Sequence, residues 1–238
     1  MTSERAALLI ADIGGYTEYM SSHRMSLAHA EVNTARILDR MIEAARGFDL
    51  VEIEGDAAFL SRRAGAKDPD KTVTEILRVA VAMHRAFHVE RQYVATNLCP
   101  CGGCKEAGNL KLKFVAHVGE VATQNIRGRT KLVGIDVILV HRLLKNSVGI
   151  PEYVLLSEEL YSTDVASLPD QVHEISPDLE GIGPVRAYFV DVADLDGSLP
   201  PLRAPTWRAR LGNTFAAVGQ GMPYMLGLKQ PRKVRYSK

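Results

Sequence analysis

Long apolar runs are missing from this sequence: none approaches the roughly 20 residues that a membrane-spanning helix needs. The opening residues, MTSERAALLIADIGG, lack a basic n-region and a small-residue cleavage site, which argues against a secretory signal peptide. Cysteine is scarce, with three in 238 residues, all between Cys99 and Cys104, so a secreted disulfide framework is excluded. Together these absences imply a cytoplasmic protein. Internal repeats and low-complexity segments are lacking as well. Acidic residues disappear from Arg203 onward, a stretch that holds eight of the 29 Lys and Arg, so the body before it is net acidic. A basic tail of this kind suits phosphates, nucleic acid or an anionic membrane surface, or folds back on its own acidic body or on a partner subunit.

What is present supports a full core. A length of 238 residues and 46% hydrophobic content accommodate one domain with an appendage, or two small domains. Ala6–Ala11 is a short apolar run ending in Asp-Ile-Gly-Gly, which reads as a buried strand entering a tight turn. Residues 27–46 place apolar side chains at 32, 35, 38, 41, 42 and 45, a helical spacing that Gly47 ends. Phe48–Arg62 reads as two strands joined by a hairpin at Glu54-Gly55-Asp56. A second amphipathic helix covers Thr72 to about Val94, with apolar residues at 73, 76, 77, 80, 83 and 87. Leu110–Val118 turns from alternating to mostly apolar, as a central strand does. Val133–Leu144 reads as helix, Tyr153–Leu156 and Val185–Val192 as strands, and Glu158–Tyr161 as a short helix. The order β-α-α-β-β-α-β-α-β implies an α+β sandwich with a mostly antiparallel sheet. From Pro200 an irregular, partly ordered extension is expected.

Two carboxylates stand out by context. Asp12 ends an apolar strand, and Asp56 sits at a hairpin tip. If their strands are neighbours, both emerge at one end of the sheet and can share a divalent ion, the arrangement Mg²⁺ takes with one or two carboxylates and substrate phosphates. The Gly14-Gly15 turn entering a helix offers free backbone N–H groups to phosphate oxygens. Each element alone is more often an ordinary turn; their combination carries the argument.

The combination resembles class III adenylate and guanylate cyclases, on matches that are collinear over about residues 6–192. Ala11-Asp12-Ile13-Gly14-Gly15-Tyr16-Thr17 resembles the first-strand signature of that family, and Glu52-x-x-Gly55-Asp56-Ala57 its second metal motif. Phe114–Val121 is similar to the central strand, and Gly134–Leu143 to the helix carrying an Asn and, four residues on, an Arg. The resemblance implies a ferredoxin-like βαββαβ core, with residues 1–195 as the cyclase-like domain, a cysteine-rich insertion at 97–108 and a basic extension at 196–238. It implies that Asp12, Asp56 and the Ile13 carbonyl hold a divalent cation (Mg, Mn or Ca), and that Gly14, Gly15, Tyr16 and Thr17 cradle the phosphates of ATP. Arg142 matches the arginine that contacts phosphate across a homodimer interface.

Three departures bear on activity. Ile138 replaces the transition-state Asn and cannot donate a hydrogen bond. Glu180 replaces the Lys that grips the triphosphate. Glu52 and Lys131 fall at the two purine-reading positions, and their combination matches neither base specificity. Losing one preorganised donor costs about 10²–10³ in rate. The sequence therefore implies a nucleoside triphosphate and metal-binding protein that signals by conformation and is weak or inactive as a cyclase. An active adenylate or guanylate cyclase is the alternative, and a structural protein with an empty cleft is the third reading. Nucleic acid is not an expected partner.

Cys99, Cys101 and Cys104 are spaced to suit a structural Zn²⁺, with His84, His88 or another chain completing four ligands; free or redox-labile thiols are the alternative. His23, His29, His117 and His141 are expected to be structural or surface residues, since none pairs with a nucleophile at a known spacing.

Overall fold

The computed structural model describes residues 3–22, 27–64, 69–97, 102–163, 168–196, 203–212 and 214–215. Ten strands and seven helices follow one another among these residues. In chain order they are β1 (Ser3–Gly14), α1 (Tyr16–Ser22), α2 (Leu27–Glu43), β2 (Asp49–Glu54), β3 (Ala57–Arg63), α3 (Pro69–Ala95) and α4 (Gly102–Glu106). Then come β4 (Lys111–Ile126), β5 (Arg129–Val133), α5 (Ile135–Leu143), β6 (Tyr153–Ser157), α6 (Glu158–Tyr161), β7 (His173–Ile175), β8 (Asp178–Leu179), β9 (Gly183–Pro184), β10 (Ala187–Asp191) and α7 (Val192–Asp196). The fold is α+β, as expected.

The chain divides into two compact units. The first comprises Met1–Gly14, Met41–Ala86 and Lys111–Pro200. It carries an eight-stranded sheet in the order β2-β3-β1-β4-β6-β10-β7, with β5 paired to β4. Every pairing in it is antiparallel except β4 with β6. The first four strands lie in the order β2-β3-β1-β4, which is the ferredoxin-like arrangement of a βαββαβ chain. A separate two-stranded ribbon joins β8 to β9.

Position in the sheet explains the composition of β1. It lies between β3 and β4, so both faces are covered, and Leu8, Leu9 and Ile10 are all buried. Burial of each such side chain is worth about 1.5–3 kcal/mol. Tyr153, Leu155, Phe59, Leu139 and Leu143 share the core on one side of the sheet. All six apolar positions expected along α3 (73, 76, 77, 80, 83 and 87) are buried. The β2–β3 hairpin turns where expected, with Gly55 at φ +65°, a conformation that β-carbon sterics disfavour in other residues.

The second unit comprises Gly15–Arg40, Phe87–Leu110 and Pro201–Lys238. Tyr19, Phe87, Val94, Cys104 and Leu110 are buried in it. Arg36 and Glu90 form an ion pair of 2.6 Å that is largely withdrawn from solvent, and Arg91 donates to the Leu110 carbonyl at 2.6 Å.

Several expectations need correction. The stripe expected over residues 27–46 holds at Leu38, Met41 and Ala45, which are buried, but Ala35 is exposed, and Asn33, Thr34 and Ile37 join the buried face. Polar Asn33 belongs to the buried face because its amide meets Cys104. The central strand β4 runs on to Ile126, and Val133 ends strand β5 instead of opening a helix; Arg127 and Gly128, both at positive φ, make the intervening turn. In the extension, residues 207–212 are helical, and Arg210 donates to the Thr96 carbonyl at 2.5 Å. Among the described residues no helix is long and apolar enough to cross a membrane.

Candidate functional site

The end of β1 carries Asp12, whose Cα partners are Ala57 on β3 and Lys113 on β4. Asp56 immediately precedes β3, and its carbonyl accepts a hydrogen bond from the Ile13 N–H at 3.4 Å. The register of three strands thus brings the two carboxylates to one end of the sheet. Their charges interact: the Asp56 carboxyl is held above the usual aspartate range, first by burial and then by Asp12, with its backbone hydrogen bond and Lys113 pulling the other way. A half-buried carboxyl whose ionisation is opposed by burial and by a neighbouring aspartate is the situation a divalent cation relieves, so the donor set fits one.

A raised carboxyl binds protons more tightly in the folded chain than in the unfolded one. The Asp56 contribution to stability is therefore fully present on the acid side and lost as pH rises through the folded value. Metal binding has the opposite sign, because only the carboxylate coordinates. Mn²⁺ affinity, measured by calorimetry across pH, is expected to fall on acidification while an ordinary aspartate would still be ionised. Affinity that stays level down to about pH 4, near the ordinary value, contradicts this.

Lys113 was not singled out by sequence. Its Nζ lies 3.2 Å from Asp12 Oδ2, and both side chains are only about a quarter exposed (26% and 22%). The available signal was a lysine between two fully buried residues, Leu112 and Phe114, on a strand expected to be central.

The remaining positions pair off in the same unit. Glu52 on β2 and Lys131 on β5 approach to 3.4 Å. Arg142 on α5 donates from Nη1 to Glu180 Oε2 at 3.1 Å, while Glu180 stays 93% exposed. Glu180 thus pairs with the chain's own arginine. Ile138, on the same helix, is 48% exposed. Gly15, Tyr16 and Thr17 begin the second unit. Gly15 has φ +81°, and its carbonyl accepts from the Tyr19 N–H at 3.0 Å as α1 starts.

Cys99 and Cys101 lie outside the described residues. Cys104 is buried, and its Sγ accepts from the side-chain amides of Asn33 at 3.6 Å and Asn97 at 3.4 Å. His84 Nε2 lies 3.5 Å from Glu152 Oε2, and Glu152 Oε1 accepts from the Leu112 N–H at 3.0 Å.

Of the histidines, His23 is outside the described residues, as is the His29 side chain. His141 Nδ1 lies 3.6 Å from Glu54, with its ring edge-on to Phe59. His117 is 1% exposed: Nδ1 lies 2.7 Å from Ser157 Oγ and Nε2 3.1 Å from Asp136 Oδ1. Asp136 also accepts from the Glu120 N–H at 2.6 Å. Both ring nitrogens thus have partners, and Gly119 makes the space for one of them, Asp136. A β-carbon at Gly119 would fall 2.3 Å from Asp136 Cγ. Gly119→Ala is expected to cost about 1–3 kcal/mol by overpacking. It would show as a lower urea midpoint with an unchanged m-value, and an unchanged midpoint would refute it.

Comparison with known proteins places this geometry. The family described as "Protein of unknown function (DUF2652)" matches residues 34–153. A Mycobacterium tuberculosis protein, "Uncharacterized protein Rv2561/Rv2562", is 34% identical over 200 residues, 82% of this chain and 90% of its own. Among solved structures, the adenylyl cyclase CyaB from P. aeruginosa superposes with a TM-score of 0.60 at 19% identity, over 85% of this chain and 97% of its own. A class III adenylyl cyclase-like ATP-binding protein from Pseudomonas aeruginosa gives a TM-score of 0.55 at 19% identity, over 68% of this chain and 35% of its own. The fold is that of class III nucleotide cyclase catalytic domains.

Proposed function

Because the chain belongs to the DUF2652 family and has a class III cyclase fold, we propose that it binds a nucleoside triphosphate, ATP in the first instance, together with a divalent cation. In this reading it acts as a binding module with weak or no cyclase turnover. The observation that carries the proposal is the meeting of Asp12 and Asp56 at one end of the sheet. Those carboxylates and the Ile13 carbonyl are the metal donors. Gly15, Tyr16 and Thr17, which follow in the chain after Gly14, supply amides to the terminal phosphates. Mg, Mn and Ca all suit an oxygen donor set.

Catalysis asks more of the site than binding does. A cyclase must stabilise charge that develops on the phosphate and the leaving pyrophosphate, using donors placed in advance. Ile138 has none to offer, and the pairing of Arg142 with Glu180 engages one cation and presents an anion beside it. Binding loses less, since metal and backbone carry much of the phosphate attraction. Ile53, Ile135 and Ile138, exposed by 47%, 61% and 48%, support self-association as a homodimer. The division into a domain at 1–195 and an extension at 196–238, zinc at the cysteine loop, a cytoplasmic location and a membrane or partner contact for the basic tail belong to the same proposal.

Calorimetry with ATP and GTP, each with Mg²⁺, Mn²⁺ or Ca²⁺, beside an assay for cyclic nucleotide, tests the reading. Metal-dependent binding with little or no cyclic product is the expected result. No binding with any metal overturns the proposal, and rapid cyclic product replaces it with the enzyme.

A further inference from the structure

Lys113 has a definite place at the metal carboxylates. It lies directly opposite Asp12 in the β1–β4 register, which puts the two side chains on one face of the sheet. Its neighbours Leu112 and Phe114 are fully buried, so the strand on either side is fixed by the core. The ammonium rests 3.2 Å from Asp12 Oδ2 with only about a quarter of each side chain in solvent. A fully exposed pair would contribute little, because water screens it and two flexible side chains must be held together. Here the water is largely removed, and the charge on Asp12 is already answered before any metal arrives.

We infer that Lys113 is a built-in counter-ion of this site: it neutralises Asp12 in the metal-free protein, yields that carboxylate to a divalent cation, and then serves the nucleotide's phosphates. The inference rests on the nucleotide–metal reading above. A divalent ion sits about 2.1 Å from a carboxylate oxygen and carries twice the charge, so at equal dielectric it attracts Asp12 about three times as strongly as the ammonium does. The metal therefore outcompetes the ammonium for the charge of Asp12, and a metal that binds alone does so beside a displaced lysine. Once expelled, the ammonium stands a few ångströms from a like charge.

A triphosphate chelated to the same metal removes that conflict, because its oxygens offer the displaced ammonium a partner. Lysine is suited to this exchange: it is a compact charge on a flexible four-carbon stem, free of the fixed fork geometry of arginine. The exchange also answers the missing cation at position 180. Position 180 offers phosphate an anion instead of a lysine, and the Arg142 beside it meets that anion at the exposed surface. Lys113 therefore discourages metal alone and favours metal with nucleotide. That is positive coupling between the two ligands, and it must be reciprocal.

The test compares Lys113→Met, which keeps the stem and removes the charge, with Lys113→Arg, which keeps the charge. Mn²⁺ alone is titrated first, by electron paramagnetic resonance of the free ion, and ATP is then titrated at saturating Mn²⁺ by calorimetry. Circular dichroism confirms that each variant is folded. Lys113→Met is expected to bind Mn²⁺ alone about tenfold more tightly and ATP–Mn²⁺ about tenfold more weakly. Lys113→Arg, which keeps the charge but not the compact head, should lie between wild type and Lys113→Met in both affinities. A merely structural lysine would weaken both ligands together, and that result overturns the inference. So does unchanged Mn²⁺ affinity in Lys113→Met when an Asp12→Asn, Asp56→Asn double variant has lost Mn²⁺; in that case the nucleotide–metal reading survives. If wild type and Lys113→Met both ignore Mn²⁺ and ATP–Mn²⁺, reading and inference fall together.

Discussion

Asp56→Asn is expected to lower the metal-dependent affinity for ATP by about 10²-fold or more, equivalent to roughly 2.7 kcal/mol, while leaving the fold at least as stable as before. The two effects have opposite signs for one reason. Burial and the neighbouring Asp12 make the Asp56 carboxylate costly in the metal-free chain, so a neutral amide of the same size relieves the folded state. The divalent cation needs that charge, and an amide oxygen replaces it poorly. Asp12→Asn is expected to lose ATP affinity to a similar degree, but it also strands Lys113, so its stability should not rise. Calorimetry with Mg²⁺–ATP and thermal melts of the metal-free proteins read both quantities. An Asp56→Asn protein that binds within about threefold of wild type would remove the carboxylate pair from the site.

Restoring the two departed groups is expected to produce the second large effect. In an Ile138→Asn, Glu180→Lys double variant, formation of cyclic nucleotide should rise by about 10²-fold or more over the unmodified protein. One preorganised donor contributes about 10²–10³ in rate, and Glu180→Lys acts twice. It places a cation where an anion stood, and it frees Arg142 from the hydrogen bond at 3.1 Å. Ile138 is about half exposed on the same helix as Arg142, so an asparagine there meets no packed core. Chromatographic detection of cyclic nucleotide and pyrophosphate measures the gain. A variant that retains nucleotide affinity yet shows no rise would place the block on turnover elsewhere.

Much of the framework was legible because local pattern and tertiary position agree. The apolar run at β1, the Glu54-Gly55-Asp56 turn and the buried stripe of α3 each follow from residues close together in the chain. Strands of two or three residues, such as β7, β8 and β9, leave no periodicity to read, and β5, with Arg129 and Lys131 among its five residues, shows no apolar run and lost its last residue, Val133, to the expected helix. The stripe that includes α2 was read correctly at Leu38, Met41 and Ala45 but missed Asn33, which is polar by type yet buried against Cys104, seventy-one residues away.

The candidate site divides along the same line. Asp12 and Asp56 stand out through motif and turn chemistry. The pairings Lys113 with Asp12 and Arg142 with Glu180 do not, because each depends on which charged side chains the register and the β8–β9 ribbon bring together. Sequence alone therefore read Glu180 as a repulsive anion, whereas the fold gives it a partner. That distinction changes what restoring a lysine there should do.

Anomalous diffraction at the manganese edge, from crystals grown with Mn²⁺ and a non-hydrolysable ATP analogue, tests the central claim most directly. The expected map has a metal peak bridging the carboxylates of residues 12 and 56, triphosphate density on its open side, and the lysine of β4 withdrawn from Asp12. A peak elsewhere, for instance beside His84 and Glu152, with the ammonium still seated on Asp12, would contradict it.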